Sequence, residues 1–223
     1  DTELKRQDKL IAANIDQLWL VVAIEPHYEY ELIDRYLIMA ENSQLPIGII
    51  VNKIELLGNE NEITSDFSHY SSLGYNVHFL SVKELTNLQA FKEQLINKSH
   101  IFLGQSGVGK SSLINSLIPD LQLRVNEISN KSKLGKHTTT NTTIYHIPSG
   151  GDLIDSPGVR EFQLDVLSEY EIKSGFKEFK ALSGDCRFRD CRHINEPDCS
   201  IKSAIESGEI NKNRYQSYLN IIS

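Results

Sequence analysis

Apolar residues first gather at 18–24, Leu-Trp-Leu-Val-Val-Ala-Ile, and Glu25-Pro26 stops the run. A short unbroken apolar stretch of this kind predicts a strand buried on both faces, as in a parallel sheet. Over 30–42 the period changes. Ile33, Tyr36, Leu37 and Ala40 fall at i, i+3, i+4 and i+7, the stripe of an amphipathic helix. Residues 47–51, 77–80 and 100–103 repeat the buried-strand pattern. Thr86-x-x-Gln89 has the form of a capping box, so a helix is expected from there to about residue 97, with Leu88, Phe91 and Leu95 inward. Two later strands, 142–147 and 152–154, flank Pro148-Ser149-Gly150-Gly151 and predict a hairpin. Strand and helix thus alternate through the first half, which indicates an α/β, doubly wound, mostly parallel sheet.

Residues 121–141 break the pattern. They have little periodicity and hold Arg124, Lys131, Lys133 and Lys136 against one acid, and a loop of that length is usually functional. After Phe162 the chain turns helical and rich in Cys and His. The expected organisation is a remnant or linker at 1–14, an α/β domain at 15–165 and a small helical domain at 166–223. The 223 residues suffice for one sizeable core and a satellite. The longest apolar run, seven residues, is far below the ~20 of a membrane span. With 30 acidic against 23 basic residues the net charge is −7, so any contact with RNA needs a local basic patch. The three cysteines all lie within 186–199, which favours a metal site in a reducing compartment over a disulfide framework.

The segment Gly104-Gln105-Ser106-Gly107-Val108-Gly109-Lys110-Ser111 matches G-x-x-x-x-G-K-[ST] in full, between a predicted strand and a predicted helix. Glycines let successive backbone N–H groups turn inward around phosphate oxygens, and the following helix offers its positive end to the same anion. Lys110 is placed to reach the β and γ phosphates, and the Ser111 hydroxyl to ligate Mg²⁺. Asn52-Lys53-Ile54-Glu55 sits at the carboxyl end of a strand, where open α/β sheets bind ligands. It resembles the Asn-Lys-x-Asp motif of GTPases, in which an acid accepts from the N1 and N2 donors of guanine; here the acid is one methylene longer. Ser81-Val82-Lys83 resembles the Ser-Ala-Lys loop that backs the guanine, and a surface turn reads equally well. Asp155-Ser156-Pro157-Gly158 resembles the Asp-x-x-Gly switch, with Asp155 holding Mg²⁺ through water and the Gly158 N–H on the γ-phosphate.

Cys186-x4-Cys191-x-His193-x5-Cys199 supplies three thiolates and an imidazole, which suit a tetrahedral, closed, structural Zn²⁺ site. Tyr215, Tyr218, Leu219 and Ile222 form a helical stripe expected to pack on that module. Arg187, Arg189 and Arg192 could touch phosphate, opposed by Asp185, Asp190, Glu196 and Asp198.

In Ras-like GTPases the phosphate loop comes first and the base-reading motifs last; here 52–55 and 81–83 precede 104–111. That permuted order, with Ser112 after the loop, Gly-Lys-His-Thr-Thr-Thr at 135–140, Asp-Ser-Pro-Gly-Val-Arg-Glu-Phe at 155–162 and the final Cys/His cluster, resembles the bacterial ribosome small-subunit-dependent GTPase A family. The resemblance implies a circularly permuted GTPase fold, Mg²⁺-dependent hydrolysis of GTP to GDP, one structural Zn²⁺, and 30S subunits with 16S rRNA as partner in the cytoplasm. It also implies an N-terminal OB-fold, of which 1–14 would be the trailing edge. It favours Thr139 or Thr140 as a further Mg²⁺ ligand. Val159 stands where Ras-like enzymes carry a water-orienting Gln, so His137 is the candidate catalytic replacement, with a solvated loop histidine as the alternative. A monomer is expected. A nucleotide-gated binding module with incidental hydrolysis is the alternative function.

Overall fold

The computed structural model describes residues 15–57, 60–121, 143–155 and 167–223. Strand β1 (Gln17–Ala23) is buried at every position, as its unbroken apolar run requires. It pairs in parallel with β2 (Ile47–Asn52) on one side, Leu18 opposite Ile47 and Ala23 opposite Asn52. On the other side lies β4 (Ser99–Leu103), with Leu20 opposite Leu103. With β3 (Asn76–Phe79), β5 (Thr143–His146) and β6 (Asp152–Asp155) the sheet order is β3-β2-β1-β4-β6-β5. Among the described strands only the β5–β6 pair is antiparallel. Strand order reverses between β1 and β4, β2 and β3 having been added on one side of β1 and β4 on the other, so the crevice at their carboxyl ends is the expected place for a ligand.

Alternate residues of β1 divide the core. Leu18, Leu20 and Val22 join α1 (Tyr30–Asn42) and α2 (Glu60–Ser72) on one face. Trp19, Val21 and Ala23 face α3 (Leu88–Gln94) and α4 (Lys110–Leu117) on the other. The expected helix at 30–42 is present, and the inward set Leu88, Phe91 and Leu95 is buried. The expected capping box is not. Thr86 is taken up in a β-bridge with Ser81, Asn87 caps the helix in a left-handed conformation with no side-chain cap, and the helix starts two residues later. Helix α2 has no counterpart among the elements expected from the sequence, although Ile63, Phe67 and Tyr70 carry its buried stripe.

The C-terminal part is helical: α5 (Glu169–Gly175), α6 (Lys177–Leu182), α7 (Ser200–Ser207) and α8 (Lys212–Ile222). Ser168 and Glu171 close a capping box at the start of α5. Phe176, Phe179, Ile201 and Tyr218 form a third core, which also takes in Ile38 of α1. Helix α1 therefore has two buried faces. Gly175 permits the close approach, since a Cβ there would lie 2.5 Å from Ile38 Cγ2.

Candidate nucleotide site and metal centre

The parallel strands bring 52–55, 81–83 and 104–111 together at their carboxyl ends, and a single side chain links them. Buried Asn52 donates from Nδ2 to the Val108 carbonyl at 2.9 Å, while its Oδ1 accepts from the Val82 N–H at 3.4 Å. Ser81 is buried, and its Oγ accepts from the Glu84 N–H at 3.0 Å. Lys53 adopts a left-handed conformation (φ +64°), and its ammonium donates to the Glu25 carbonyl at 2.5 Å. The Ile54 N–H donates to the Leu80 carbonyl at 3.2 Å and opens the short 3₁₀ turn that carries Glu55. Glu55 Oε2 is buried with no hydrogen-bond partner among the described residues. A shielded carboxylate oxygen needs donors, and the adjacent N1–H and N2–H of guanine would supply them.

Gly104, Gly107 and Gly109 all have positive φ, as the inward-turning phosphate loop demands. Gly109 is also sterically required, because a Cβ there would lie 2.3 Å from Asn52 Nδ2. Helix α4 begins at Lys110, whose ammonium donates to the Gly104 carbonyl at 2.6 Å and the Gln105 carbonyl at 2.5 Å. Ser111 is buried in the first turn, with Ser112 next to it. Asp155 ends β6 opposite Thr143, and its side chain lies outside the described structure. His137, Thr139, Thr140, Gly158, residues 1–14 and all four basic residues of the predicted loop lie outside the described residues as well.

The ligand atoms of Cys186, Cys191, His193 and Cys199 lie within 4.8 Å of one another, and none of the cysteines is disulfide-bonded. Cys186 and Cys199 Sγ are 3.6 and 3.4 Å from His193 Nδ1 and 4.0 Å from each other. Tetrahedral Zn²⁺ with its usual bond lengths puts S···N near ~3.6 Å and S···S near ~3.8 Å. The residues fit the ion. Burial pushes the Cys191 thiol up to about 12, a cost a cation offsets. Burial also works against the Cys186 thiolate, but the Ser200 hydroxyl and the Ser200 and Ile201 N–H groups at the start of α7 outweigh it and lower its pKa. Three backbone N–H groups, of Arg192, Ile194 and Asn195, converge on the Glu196 carboxylate at 2.8–3.1 Å and hold its pKa down to about 2. The expected aromatic stripe anchors this module: Tyr215 donates to the His193 carbonyl and Tyr218 to the Arg192 carbonyl.

The profile of the RsgA GTPase family matches residues 1–165, about three quarters of the chain. The chain belongs to the RsgA GTPase family. A small ribosomal subunit biogenesis GTPase RsgA from Chromohalobacter salexigens is 45% identical over 99% of this chain and 65% of its own length. The protein of that name from Hahella chejuensis is 46% identical over 99% of this chain and 66% of its own. The chain thus spans just under two thirds of these relatives. YjeQ from Thermotoga maritima superposes with a TM-score of 0.77 at 34% identity, covering 94% of this chain and 70% of that one. YloQ, a circularly permuted GTPase, gives 0.74 at 30% identity, covering 94% and 67%. The expected permuted fold is therefore correct.

This RsgA-family chain also buries an ion cluster that local sequence pattern does not predict. Asp34 on α1 and Arg214 on α8 are 0% and 1% exposed, and Arg214 Nη1 donates to Asp34 Oδ1 at 2.5 Å. Arg214 also grips Glu178 of α6 with two hydrogen bonds, 2.7 and 3.0 Å, and its guanidinium lies over the Phe176 ring. Tyr70 donates to the same Asp34 oxygen at 2.9 Å. A signal was present: Asp34 sits between Ile33 and Leu37, and Arg214 at a buried register between Ile210 and Tyr218.

Proposed function

We propose that this chain hydrolyses GTP to GDP and phosphate, is stimulated by the 30S ribosomal subunit, and acts in late maturation of that subunit. The observation that carries the reading is the buried Glu55 oxygen, unpartnered among the described residues, on the segment that Asn52 ties to the phosphate loop. Family membership and the names of the relatives support the reaction class and the ribosomal partner.

In this reading residues 15–165 form the nucleotide domain and 166–223 the zinc-binding one. Asn52, Lys53, Ile54 and Glu55 bind guanine with Ser81, Val82 and Lys83 behind it. Residues 104–112 hold the phosphates by backbone N–H groups, with Lys110 turning from its own loop carbonyls to the phosphate oxygens. Mg²⁺ would be held by Ser111, Asp155 and Thr139 or Thr140, and when bound would neutralise developing phosphate charge. The Gly158 N–H contacts the γ-phosphate, and His137 orients the attacking water in place of the absent Gln. Zn²⁺ on Cys186, Cys191, His193 and Cys199 holds the C-terminal fold. The chain acts as a monomer in the cytoplasm, where ribosomal subunits mature, and 16S rRNA is the surface it meets.

GTP turnover with and without purified 30S subunits tests the reading, with GDP and ADP affinities measured in parallel. Stimulated turnover and a clear preference for GDP are expected. Equal affinities for the two nucleotides would overturn the guanine assignment. Turnover indifferent to 30S, with nucleotide-dependent co-sedimentation, would favour the binding module instead.

A further inference from the structure

We propose that Arg214 is a positioning residue that couples the nucleotide site to the metal-bearing helices through α1. The inference rests on the guanine-nucleotide and zinc readings above.

The connection is continuous and built of hydrogen bonds and rigid elements. At one end, Lys53 of the base-reading segment donates to the backbone carbonyl of Glu25. Glu25 belongs to the turn between β1 and α1, and the same turn brings Pro26 Cδ to within 3.6 Å of where a Cβ on Gly107 would be. Any shift of Lys53 or of the phosphate loop on nucleotide binding therefore bears on the start of α1. One turn into that helix stands Asp34, bound to Arg214. Helix α8, which carries Arg214, also carries Tyr215 and Tyr218. Their hydroxyls hold the backbone carbonyls of the zinc ligand His193 and of its neighbour Arg192.

The ion cluster is a poor device for stability alone. Asp34 and Arg214 are almost wholly removed from water, and Asp34 Oδ2 has no hydrogen-bond partner among the described residues. Buried ion groups of this kind are commonly replaced by apolar side chains without loss of stability. What the cluster does supply is direction. Arg214 meets Asp34 with one nitrogen and Glu178 with two, so α1, α6 and α8 have one relative setting that satisfies all three charges. A nucleotide that moves α1 must move α8 with it or break a buried charge pair. By linkage, the metal site must then alter nucleotide affinity to the same degree.

The test uses the full chain and a fluorescent GDP analogue, titrated with zinc bound and after a zinc-selective chelator, with Mg²⁺ in excess throughout. For the unaltered protein, removing zinc should change the affinity by about fivefold or more. The variant Asp34→Asn/Glu178→Gln/Arg214→Met removes the three charges together. It should still bind the analogue and keep its urea transition by Trp19 fluorescence, yet its affinity should no longer respond to zinc. Tyr215→Phe/Tyr218→Phe cuts the last link without touching the buried charges and should lower the response as well. A response of equal size in all three proteins, or none in the unaltered protein, overturns the coupling. Failure of the unaltered protein to bind the analogue at all overturns the nucleotide reading beneath it.

Discussion

Replacing Glu55 with Gln separates recognition of the base from stability of the fold. In the protein Glu55 Oε2 is buried and takes no hydrogen bond among the described residues, so the fold gains nothing from that oxygen. Guanine offers it two adjacent donors. Hydrogen bonds to a charged acceptor contribute about 1.5–3 kcal/mol each, and an amide keeps one acceptor while aiming an N–H at the other donor. The net loss should be about 2–3 kcal/mol, or about 30- to 150-fold in GDP affinity. Thermal stability should stay level or rise slightly, because a shielded carboxylate is replaced by a neutral group of the same shape. Isothermal titration with GDP and ADP, beside a melting curve for each protein, reads both quantities. ADP affinity, which owes nothing to Glu55, should not move. The reasoning fails if GDP affinity is unchanged, or if the melting temperature falls in step with it.

Gly109→Ala must adopt a left-handed φ, costing about 1–3 kcal/mol, and its Cβ would push Asn52 off the Val108 carbonyl, about 1 kcal/mol more. Melting temperature should drop by roughly 5–15 °C, and an unchanged value would refute the close approach. Lys110→Ala should abolish tight GDP binding, since the loop then holds the phosphates with backbone donors alone; calorimetry reads this directly. Elemental analysis of the purified protein should give one Zn²⁺ per chain. Cys191→Ser should lose it and unfold α5–α8 by circular dichroism while Trp19, in the second core, keeps its fluorescence. Burial holds His69 down to about 4 and lowers His78 and His100 too, so the folded chain refuses protons that the unfolded chain takes up. This contribution is complete above about pH 6.5 and is lost as the pH falls toward 4. Burial raises Asp34, which acts in the opposite sense, but the paired Arg214 guanidinium opposes that rise. The urea midpoint should therefore fall between pH 7.5 and 5.5, and a midpoint that holds or rises would contradict the assignment.

What was legible in the sequence was what obeys local periodicity or fixed spacing. The unbroken run at 18–24 read as a buried strand, and the full G-x-x-x-x-G-K-[ST] match at 104–111, between a strand and a helix, read as a phosphate loop. The missed elements depend on contacts between distant segments. Polar residues around Ile63, Phe67 and Tyr70 diluted the stripe of α2 until the sheet was there to receive it. Thr86 carried the chemistry of a helix cap, but its backbone is engaged by Ser81 from the neighbouring turn. Asp34 is 180 positions from Arg214, and a charge buried against so distant a partner leaves only a polar residue in an apolar stripe.

Permutation gives that buried pair its setting. In the permuted order β2, which ends at Asn52, follows α1 directly, and the last described sheet strand, β6, leads toward the C-terminal helices. Those helices then fold back onto α1 rather than standing apart, and Ile38 is shared between their core and the helix that precedes the base-reading segment. A module attached only through its tether could turn without consequence for the nucleotide. Docked on α1 by Gly175, Ile38 and the Arg214 cluster, it would carry α1 with it. The C-terminal helices are thus joined to the nucleotide domain twice, through the chain that leaves β6 and through the helix that carries Asp34. Because the second junction buries charge, it resists gradual slippage. It is satisfied in one setting and costly in others, the property required of an element that reports on a bound nucleotide.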